Sequence, residues 1–154
     1  MKVMLSDLGS VAREVRARLP EEKGSAVLVA LVGDLGAGKT TFTQALAREL
    51  GVVATVQSPT YVLMKSYQLP QGDALATGLS KASPFEKLIH IDAYRLESPD
   101  QFKALRPEEF LSDPNALIVV EWPERAGGFL PEPDLTVTFS ADGAGAEERY
   151  IEVI

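Results

Sequence analysis

The feature that most constrains this chain is a glycine-rich segment that directly follows an apolar run. AVLVALV at 26–32 contains no polar residue, which is typical of a strand covered on both faces, as in a parallel sheet. GDLGAGKT at 33–40 then satisfies the pattern G-x4-G-K-[ST] at every fixed position. The glycines allow backbone conformations that a Cβ atom would forbid, so that successive N–H groups can converge on one anion. We therefore predict a loop that binds phosphate.

The residues after the glycines indicate how the phosphates are held. Apolar residues from Phe42 to Leu50 recur at helical spacing, so a helix follows the loop and presents its N-terminal N–H groups to the phosphates. Lys39 supplies a positive charge for the β- and γ-phosphate oxygens, and Thr40 supplies a hydroxyl ligand for Mg²⁺. The sequence thus predicts a nucleoside triphosphate site. Its predicted contacts are Gly33, Asp34, Leu35, Gly36, Ala37, Gly38, Lys39, Thr40 and Thr41.

The rest of the chain alternates between apolar runs and helical patterns. Further strands are predicted at 3–5, 61–67, 86–92, 116–120, 135–139 and 149–154, and further helices at about 8–19 and 99–112. The last two strands alternate apolar and polar residues, which is typical of an antiparallel hairpin with one solvated face. The pattern therefore predicts an α/β P-loop fold with a mostly parallel central sheet, flanking helices and a C-terminal antiparallel hairpin.

Length and composition are those of one globular domain. The chain has 154 residues, of which 45% are hydrophobic and 24% charged. We therefore expect a single domain over residues 1–154. Residues 68–84 are polar, rich in glycine and proline, and without periodicity, so we interpret them as an exposed insertion between two strands.

Two carboxylates that end predicted buried strands are candidates for phosphate chemistry. Asp92 ends LIHID, and Glu121 ends ALIVVE. Phosphoryl transfer needs an acid that holds Mg²⁺ or its waters, and often a second group that orients the nucleophile. We favour Asp92 as the acid near Mg²⁺ and Glu121 as a second metal-binding or water-organising acid, although the two roles can be exchanged. The predicted catalytic residues are Lys39, Asp92 and Glu121, and the predicted metal ligands are Thr40, Glu121 and Asp92.

Five other residues each have two interpretations. Thr60 either meets the γ-phosphate from a switch segment or simply begins a strand. His90, the one histidine, alternates with two isoleucines and is expected to be a packed, hydrogen-bonded core residue. Trp122 either stacks near the nucleotide or belongs to the core. Because of the first possibility we include it among the predicted nucleotide-binding residues. Arg95 and Arg125 either reach phosphates or pair with the many nearby acids.

Charge and cysteine content limit the partners and the compartment. The net charge is −7, and residues 101–154 carry four Lys or Arg against eleven Asp or Glu. The clustered basic residues that nonspecific nucleic-acid binding requires are missing, so we expect no DNA binding and an RNA contact only through a partner. There is no cysteine, no secretory signal and no apolar run of about 18 residues. We therefore expect a cytoplasmic protein that does not enter a membrane.

Four motifs together are more specific than the phosphate loop alone. They are GDLGAGKTT (33–41), SPTYVL (58–63), HIDAYRL (90–96) and VEWPERAG (120–127). In this order and at these intervals they closely resemble the bacterial TsaE (YjeE) family, whose members are small ATPases required for threonylcarbamoyladenosine (t6A) formation in tRNA. The resemblance runs from the first predicted helix to the final hairpin.

The resemblance implies properties that composition and spacing do not. It implies binding of ATP and Mg²⁺, slow ATP hydrolysis by the protein alone, and action with a TsaB–TsaD heterodimer that modifies adenosine 37 of tRNA. Hydrolysis would reset that assembly between turnovers. By position, Lys39 and Thr40 match the family's phosphate and Mg²⁺ residues, and Asp92 matches its Walker-B-like acid. Glu121 and Trp122 match its functional Glu-Trp pair, with Glu121 on the metal side.

Other classes of nucleotide-binding protein fit the sequence less well. A small-molecule kinase needs a basic lid, whereas residues 68–84 contain one lysine and no arginine. A GTP-driven switch needs a DxxG signature after the buried strand, whereas Asp92 is followed by Ala-Tyr-Arg, and the sequence contains no N/T-K-x-D segment. A nucleotide-binding interaction module that hardly hydrolyses its ligand differs from the favoured interpretation only in degree.

Overall fold

The apolar runs of the sequence fold into one mixed sheet. The computed structural model describes residues 1–58, 63–71 and 83–154, and seven strands lie within these ranges. In chain order they are β1 (Lys2–Met4), β2 (Val27–Gly33), β3 (Met64–Gln68), β4 (Lys87–Asp92), β5 (Ala116–Glu121), β6 (Leu135–Ser140) and β7 (Glu148–Val153). They lie side by side in the order β1-β7-β6-β2-β5-β4-β3.

The centre of the sheet is parallel, as predicted. β5 lies between β2 and β4 and pairs with both in parallel, and β6 pairs in parallel with the other side of β2. The residues of β5 are all buried, and those of β4 are buried after its first residue. Uninterrupted apolar strands are stable here because helices cover both faces of the sheet.

The edges of the sheet are antiparallel. β7 pairs with β6 in the predicted C-terminal hairpin, and β1 pairs with β7 at the outer edge. At the opposite edge β3 pairs with β4. Along β6 buried and half-buried residues alternate, which confirms the period-two interpretation of 135–139.

The helices form the outer layers. Within the described ranges they are α1 (Leu8–Arg18), α2 (Lys39–Glu49), α3 (Pro99–Lys103) and α4 (Pro107–Leu111), and two 3₁₀ segments there cover Leu5–Asp7 and Pro123–Phe129. The two short helices confirm the helical pattern predicted around 99–112. No helix in the described ranges is both long enough and apolar enough to cross a membrane.

The two faces of the sheet bury separate apolar cores. Val27, Val29 and Leu31 of β2 belong to the core under α1 and α2, whereas Leu28 and Ala30 belong to the core under α3 and α4. This alternation follows from the period of two along a strand. The result is a three-layer α/β/α arrangement.

The topology brings the candidate residues to one edge of the sheet. The carboxyl ends of the parallel strands β2, β4 and β5 carry Gly33, Asp92 and Glu121, and Asp92 is paired in register with Glu121. Parallel strands place their carboxyl ends at the same edge, which is where α/β proteins bind their ligands. Thr60 lies outside the described residues.

Only the two ends of the predicted insertion at 68–84 are described. Gln68 is the last residue of β3, Leu69 and Ser83 are buried, and the Leu69 N–H donates a hydrogen bond to Glu86 O at 2.8 Å. Gln68, Gln71 and Pro84 are exposed, as predicted. Leu69 is buried because main-chain pairing of β3 with the segment before β4 continues past the last strand residue. Residues 72–82 lie outside the described ranges.

A cavity in the core below α2 should destabilise the whole domain. Leu46 is fully buried between α2 and the sheet. We expect Leu46→Ala to lower the free energy of unfolding by about 2–5 kcal/mol, measured by urea denaturation. Val53 is 98% exposed, so Val53→Ala should change it by less than about 0.5 kcal/mol. Equal stability of the two variants would contradict the described core.

Candidate functional site

The glycine-rich loop links β2 to the first turn of α2. The Ala37 N–H donates to Asp34 O at 3.1 Å, and Gly38 precedes the helix with a left-handed φ of 103°. α2 then begins at Lys39, and its Phe42 N–H donates to Gly38 O at 2.8 Å. The N–H groups of the first helical turn before Phe42 have no carbonyl within the helix to bind. The predicted strand–loop–helix context is confirmed, and it is the arrangement that binds phosphate through helix N–H groups.

Close packing beneath the loop explains two of its glycines. A Cβ atom on Gly33 would lie 2.6 Å from the Phe139 carbonyl oxygen on β6, and one on Gly38 would lie 2.9 Å from Leu5 Cδ2. Both glycines also have positive φ angles, at which a side chain is strained. β6 and the segment after β1 therefore support the loop from below.

The Lys39 ammonium is buried against the loop that it belongs to. Its Nζ donates hydrogen bonds to Gly33 O at 2.6 Å and Asp34 O at 2.7 Å, and the residue is 4% exposed. Burial lowers the pKa of Lys39 below its usual 10.5, and the nearby Glu121 and Asp92 carboxylates oppose this shift. The charge is thus held by two carbonyl oxygens at the start of the loop.

Trp122 covers this lysine from the far side. Lys39 Nζ lies 4.3 Å from the centre of the Trp122 ring, within the range of a cation–π interaction. Trp122 has φ 58°, a left-handed conformation that is costly for a bulky residue. The Tyr94 ring packs against the indole at 5.1 Å between ring centroids. Strain of this kind is retained where the surroundings hold it, and it occurs often at functional sites.

The two candidate acids have different neighbours. Thr40 Oγ1 donates a hydrogen bond to Glu121 Oε1 at 2.9 Å, so Glu121 reaches the first turn of α2. Asp92 Oδ1 accepts from the Tyr94 N–H at 3.0 Å, and Asp92 Oδ2 accepts from Ser58 Oγ at 3.3 Å. Both acids are buried. The geometry therefore puts Glu121 beside the hydroxyl that is predicted to bind Mg²⁺, with Asp92 one strand further away.

His90 is a packed, hydrogen-bonded core residue, as predicted, and its partner is one of the candidate acids. It is fully buried, and its Nε2 lies 2.8 Å from Glu121 Oε1. Sequence reasoning missed this pairing. A partial signal was available: His90 and Asp92 are two residues apart on one strand and so share a face. Glu121 comes to the same face because β5 pairs with β4 and sets Glu121 opposite Asp92.

The two arginine candidates lie in different places. Arg95 is exposed and lines the cavity beside the loop. Arg125 lies with its guanidinium carbon 5.3 Å from the Tyr94 ring centre and donates from Nη1 to Leu96 O at 3.4 Å. Arg125 is therefore part of the aromatic cluster around Trp122.

A cavity of about 450 Å³ joins these elements. It runs from the loop to the ends of β4 and β5. Its lining residues are Leu35, Gly36, Ala37, Gly38, Lys39, Thr40, Thr41, Ser58, Asp92, Tyr94, Arg95, Glu121 and Trp122. Every predicted site residue is in this set except Gly33 and Asp34, whose carbonyl oxygens hold Lys39.

A comparison with protein families fits this geometry. A family model described as "Threonylcarbamoyl adenosine biosynthesis protein TsaE" matches residues 5–151. The matched range includes the glycine-rich loop, Asp92, Glu121 and the aromatic residues Tyr94 and Trp122. The chain belongs to the TsaE family.

Individual relatives and a solved structure agree with this assignment. Proteins named tRNA threonylcarbamoyladenosine biosynthesis protein TsaE include one from Streptomyces coelicolor, 40% identical over 92% of this chain and 88% of that protein. Another, from Haemophilus influenzae, is 32% identical over 84% of this chain and 71% of that protein. The crystal structure of Bacillus subtilis YdiB superposes with a TM-score of 0.63 at 25% identity, covering 98% of this chain and 82% of that one. The predicted fold is confirmed.

Two further contacts of this TsaE family member were not anticipated. Arg149 on β7 donates from Nη2 to Gly36 O at 3.3 Å, and Leu5 packs against Gly38. Both join the loop to residues that are distant along the chain. No local pattern in the sequence signals them, because they depend on β7 pairing with β6 and on β1 pairing with β7.

The packing beneath the loop predicts unequal effects at two of its glycines. Gly33→Ala brings a methyl group against a main-chain oxygen of β6, which cannot move without disturbing the sheet, so we expect a loss of about 3 kcal/mol or more in the free energy of unfolding. Gly36 also has a positive φ but open space around it, so Gly36→Ala should cost only about 1–2 kcal/mol. Urea denaturation compares them, and a larger loss for Gly36→Ala would contradict the described packing.

Proposed function

We propose that this protein is a Mg²⁺-dependent ATPase that acts in t6A formation at position 37 of tRNA, together with a TsaB–TsaD heterodimer that it resets by hydrolysing ATP. Membership of the TsaE family supports the pathway. The observation that carries the activity is the hydrogen bond from Thr40 to Glu121, beside a phosphate loop whose lysine is already buried. The hydroxyl of Thr40, the carboxylate of Glu121 and the ammonium of Lys39 thus line one cavity.

In this proposal the loop binds the triphosphate. The N–H groups of the first turn of α2 donate to phosphate oxygens, and Lys39 exchanges its contacts with Gly33 O and Asp34 O for the β- and γ-phosphate oxygens. The lowered pKa of Lys39 supports this role, because burial makes an unneutralised ammonium unfavourable and a phosphate partner relieves that cost.

The residues present fit a magnesium ion. Mg²⁺ prefers hard oxygen ligands and usually binds through one or two protein groups together with phosphate oxygens and water. Thr40 donates its hydroxyl proton to Glu121, so its oxygen lone pairs remain for a cation. We therefore assign Thr40, Glu121 and Asp92 to this ion, which when bound neutralises charge on the phosphate oxygens.

Asp92 is the second carboxylate of the proposed mechanism. It lies on β4, in register with Glu121 on β5, and it lines the same cavity. Its Oδ1 is fixed by the Tyr94 N–H. We propose that Asp92, in this position, helps to orient the water that attacks the γ-phosphate, while Glu121 lies next to the metal ion. Trp122 shields the cavity from solvent, since its ring covers Lys39.

The charge distribution supports an indirect link to tRNA. The net charge of −7 and the acidic last third do not favour direct binding to an RNA backbone. We therefore propose that tRNA is reached through the TsaB–TsaD heterodimer, in the cytoplasm. The preference for ATP over GTP follows from family membership and from the lack of a guanine-reading N/T-K-x-D motif.

Removing the lysine charge should weaken nucleotide binding. We expect Lys39→Met, which keeps the length of the side chain, to lower the affinity for ATP with Mg²⁺ by about 10- to 100-fold in calorimetry, the worth of a charge-assisted hydrogen bond. Lys65→Met removes an exposed lysine on β3 and should leave the affinity unchanged. If the unaltered protein gives no Mg²⁺-dependent binding heat with ATP, the proposed function is wrong.

Removing the charge of Glu121 should affect turnover more than binding. Glu121→Gln keeps the shape of the side chain, so ATP affinity at saturating Mg²⁺ should stay within about threefold. Phosphate release should fall by about 10- to 100-fold, because the proposed metal site loses a carboxylate. Phosphate release is measured with and without the TsaB–TsaD heterodimer, and Glu109→Gln, on an exposed residue of α4, is the control. Release from the unaltered protein that does not rise with the heterodimer would contradict a coupled ATPase.

A further inference from the structure

Among the described residues, His90 is the one buried titratable side chain near the cavity that the proposed mechanism does not use. It is 0% exposed, lies on β4 two residues before Asp92, and faces Val119 of β5 in the sheet register. A hydrophobic residue would fill this position without burying ring nitrogens. Burial of a polar group is unfavourable unless it is hydrogen-bonded, so the presence of histidine here calls for a physical reason.

One ring nitrogen of His90 is bound and the other is not. Nε2 lies 2.8 Å from Glu121 Oε1, whereas Nδ1 is buried and has no hydrogen-bond partner among the described residues. An ionised carboxylate only accepts hydrogen bonds, so Nε2 carries the proton and donates to Glu121. The bond therefore requires a proton on Nε2.

Glu121 Oε1 is thereby held from two directions. It accepts the Nε2 proton of His90 from β4 and the Oγ1 proton of Thr40 from α2. Both hydrogen bonds end on the same oxygen, which leaves the lone pairs of Oε2 for a ligand of the cavity, as far as the described residues show. Without His90, the buried Glu121 would keep a single hydrogen bond, to a hydroxyl that the nucleotide site itself requires.

We propose that His90 is a positioning residue: its Nε2 proton holds the Glu121 carboxylate in the orientation that Thr40 and a divalent cation need. This inference rests on the proposed function. Removing a residue that orients a metal-binding carboxylate through a hydrogen bond typically lowers metal affinity or activity by about 10- to 100-fold. His90 itself does not touch the nucleotide, since it does not line the cavity.

The tautomer can be measured directly, because the chain contains one histidine. A long-range ¹H–¹⁵N spectrum of the labelled, ligand-free protein then reports a single imidazole ring. We expect a ring that carries a proton on Nε2, with a perturbed Nε2 resonance when Glu121→Gln replaces the carboxylate. A ring protonated only at Nδ1 would overturn the inference, whatever the protein hydrolyses.

Two substitutions separate positioning from packing. Gln carries an amide N–H at about the same reach as Nε2, so His90→Gln keeps the donor, while His90→Leu keeps the buried volume and removes it. We expect His90→Leu to raise the Mg²⁺ concentration for half-maximal ATP binding about tenfold, and His90→Gln to stay within about threefold of the unaltered protein. Binding of ATP in EDTA should be equal in all three, because the loop and Lys39 are unchanged.

Val119→Ala is the matched control for lost packing. It removes buried atoms directly opposite His90 without touching the hydrogen bond, so it should lower the melting temperature and leave the Mg²⁺ requirement unchanged. The inference fails if His90→Leu keeps the normal Mg²⁺ requirement, or if a folded His90→Gln is as impaired as His90→Leu. If His90→Leu does not fold, the inference is tested by the Mg²⁺ requirement of His90→Gln and by the position of the ring proton. Failure of the unaltered protein to bind ATP with Mg²⁺ would instead refute the proposed function.

Discussion

The parallel pairing of β2 with β5 is the constraint on which the rest of the site depends. It sets Leu31 opposite Glu121, so the strand that leads into the phosphate loop and the strand that ends in a carboxylate reach the same edge together. The first turn of α2 then lies within hydrogen-bond reach of Glu121 through Thr40. β4 adds Asp92 from the next position in the sheet. A shift of register by one residue would turn Glu121 toward the opposite core.

The cavity holds buried charged side chains of both signs. One buried cation, Lys39, faces two buried carboxylates, Asp92 and Glu121. Buried charges are stable only when they are paired and hydrogen-bonded, and here each is held by carbonyl, hydroxyl, amide or imidazole groups. The proposed triphosphate with its divalent cation would add charges of both signs to this cavity, and these would pair with the acids and with the lysine at the same time.

The sequence predicted the elements well, because each depends on local physics. Uninterrupted apolar runs predicted the central strands, and the loop motif predicted the turn before α2. The partners could not be predicted in the same way: that Thr40 donates to Glu121 rather than to Asp92 depends on β5, not β4, lying next to β2. The left-handed backbone of Trp122 is likewise set by its surroundings. The contact of Arg149 with Gly36 joins residues more than a hundred positions apart, which no periodicity reveals.

The support of the phosphate loop by distant strands has a consequence for protein synthesis. β1 pairs with β7, and Leu5 beside β1 and Arg149 on β7 both contact the loop. The ribosome makes residues 33–40 early, but the strand that brings β1 and Arg149 to them is made long afterwards. Because non-local pairing requires the whole intervening chain, the loop emerges before its support exists. A nascent chain therefore completes the support of this loop only after β7 has been made.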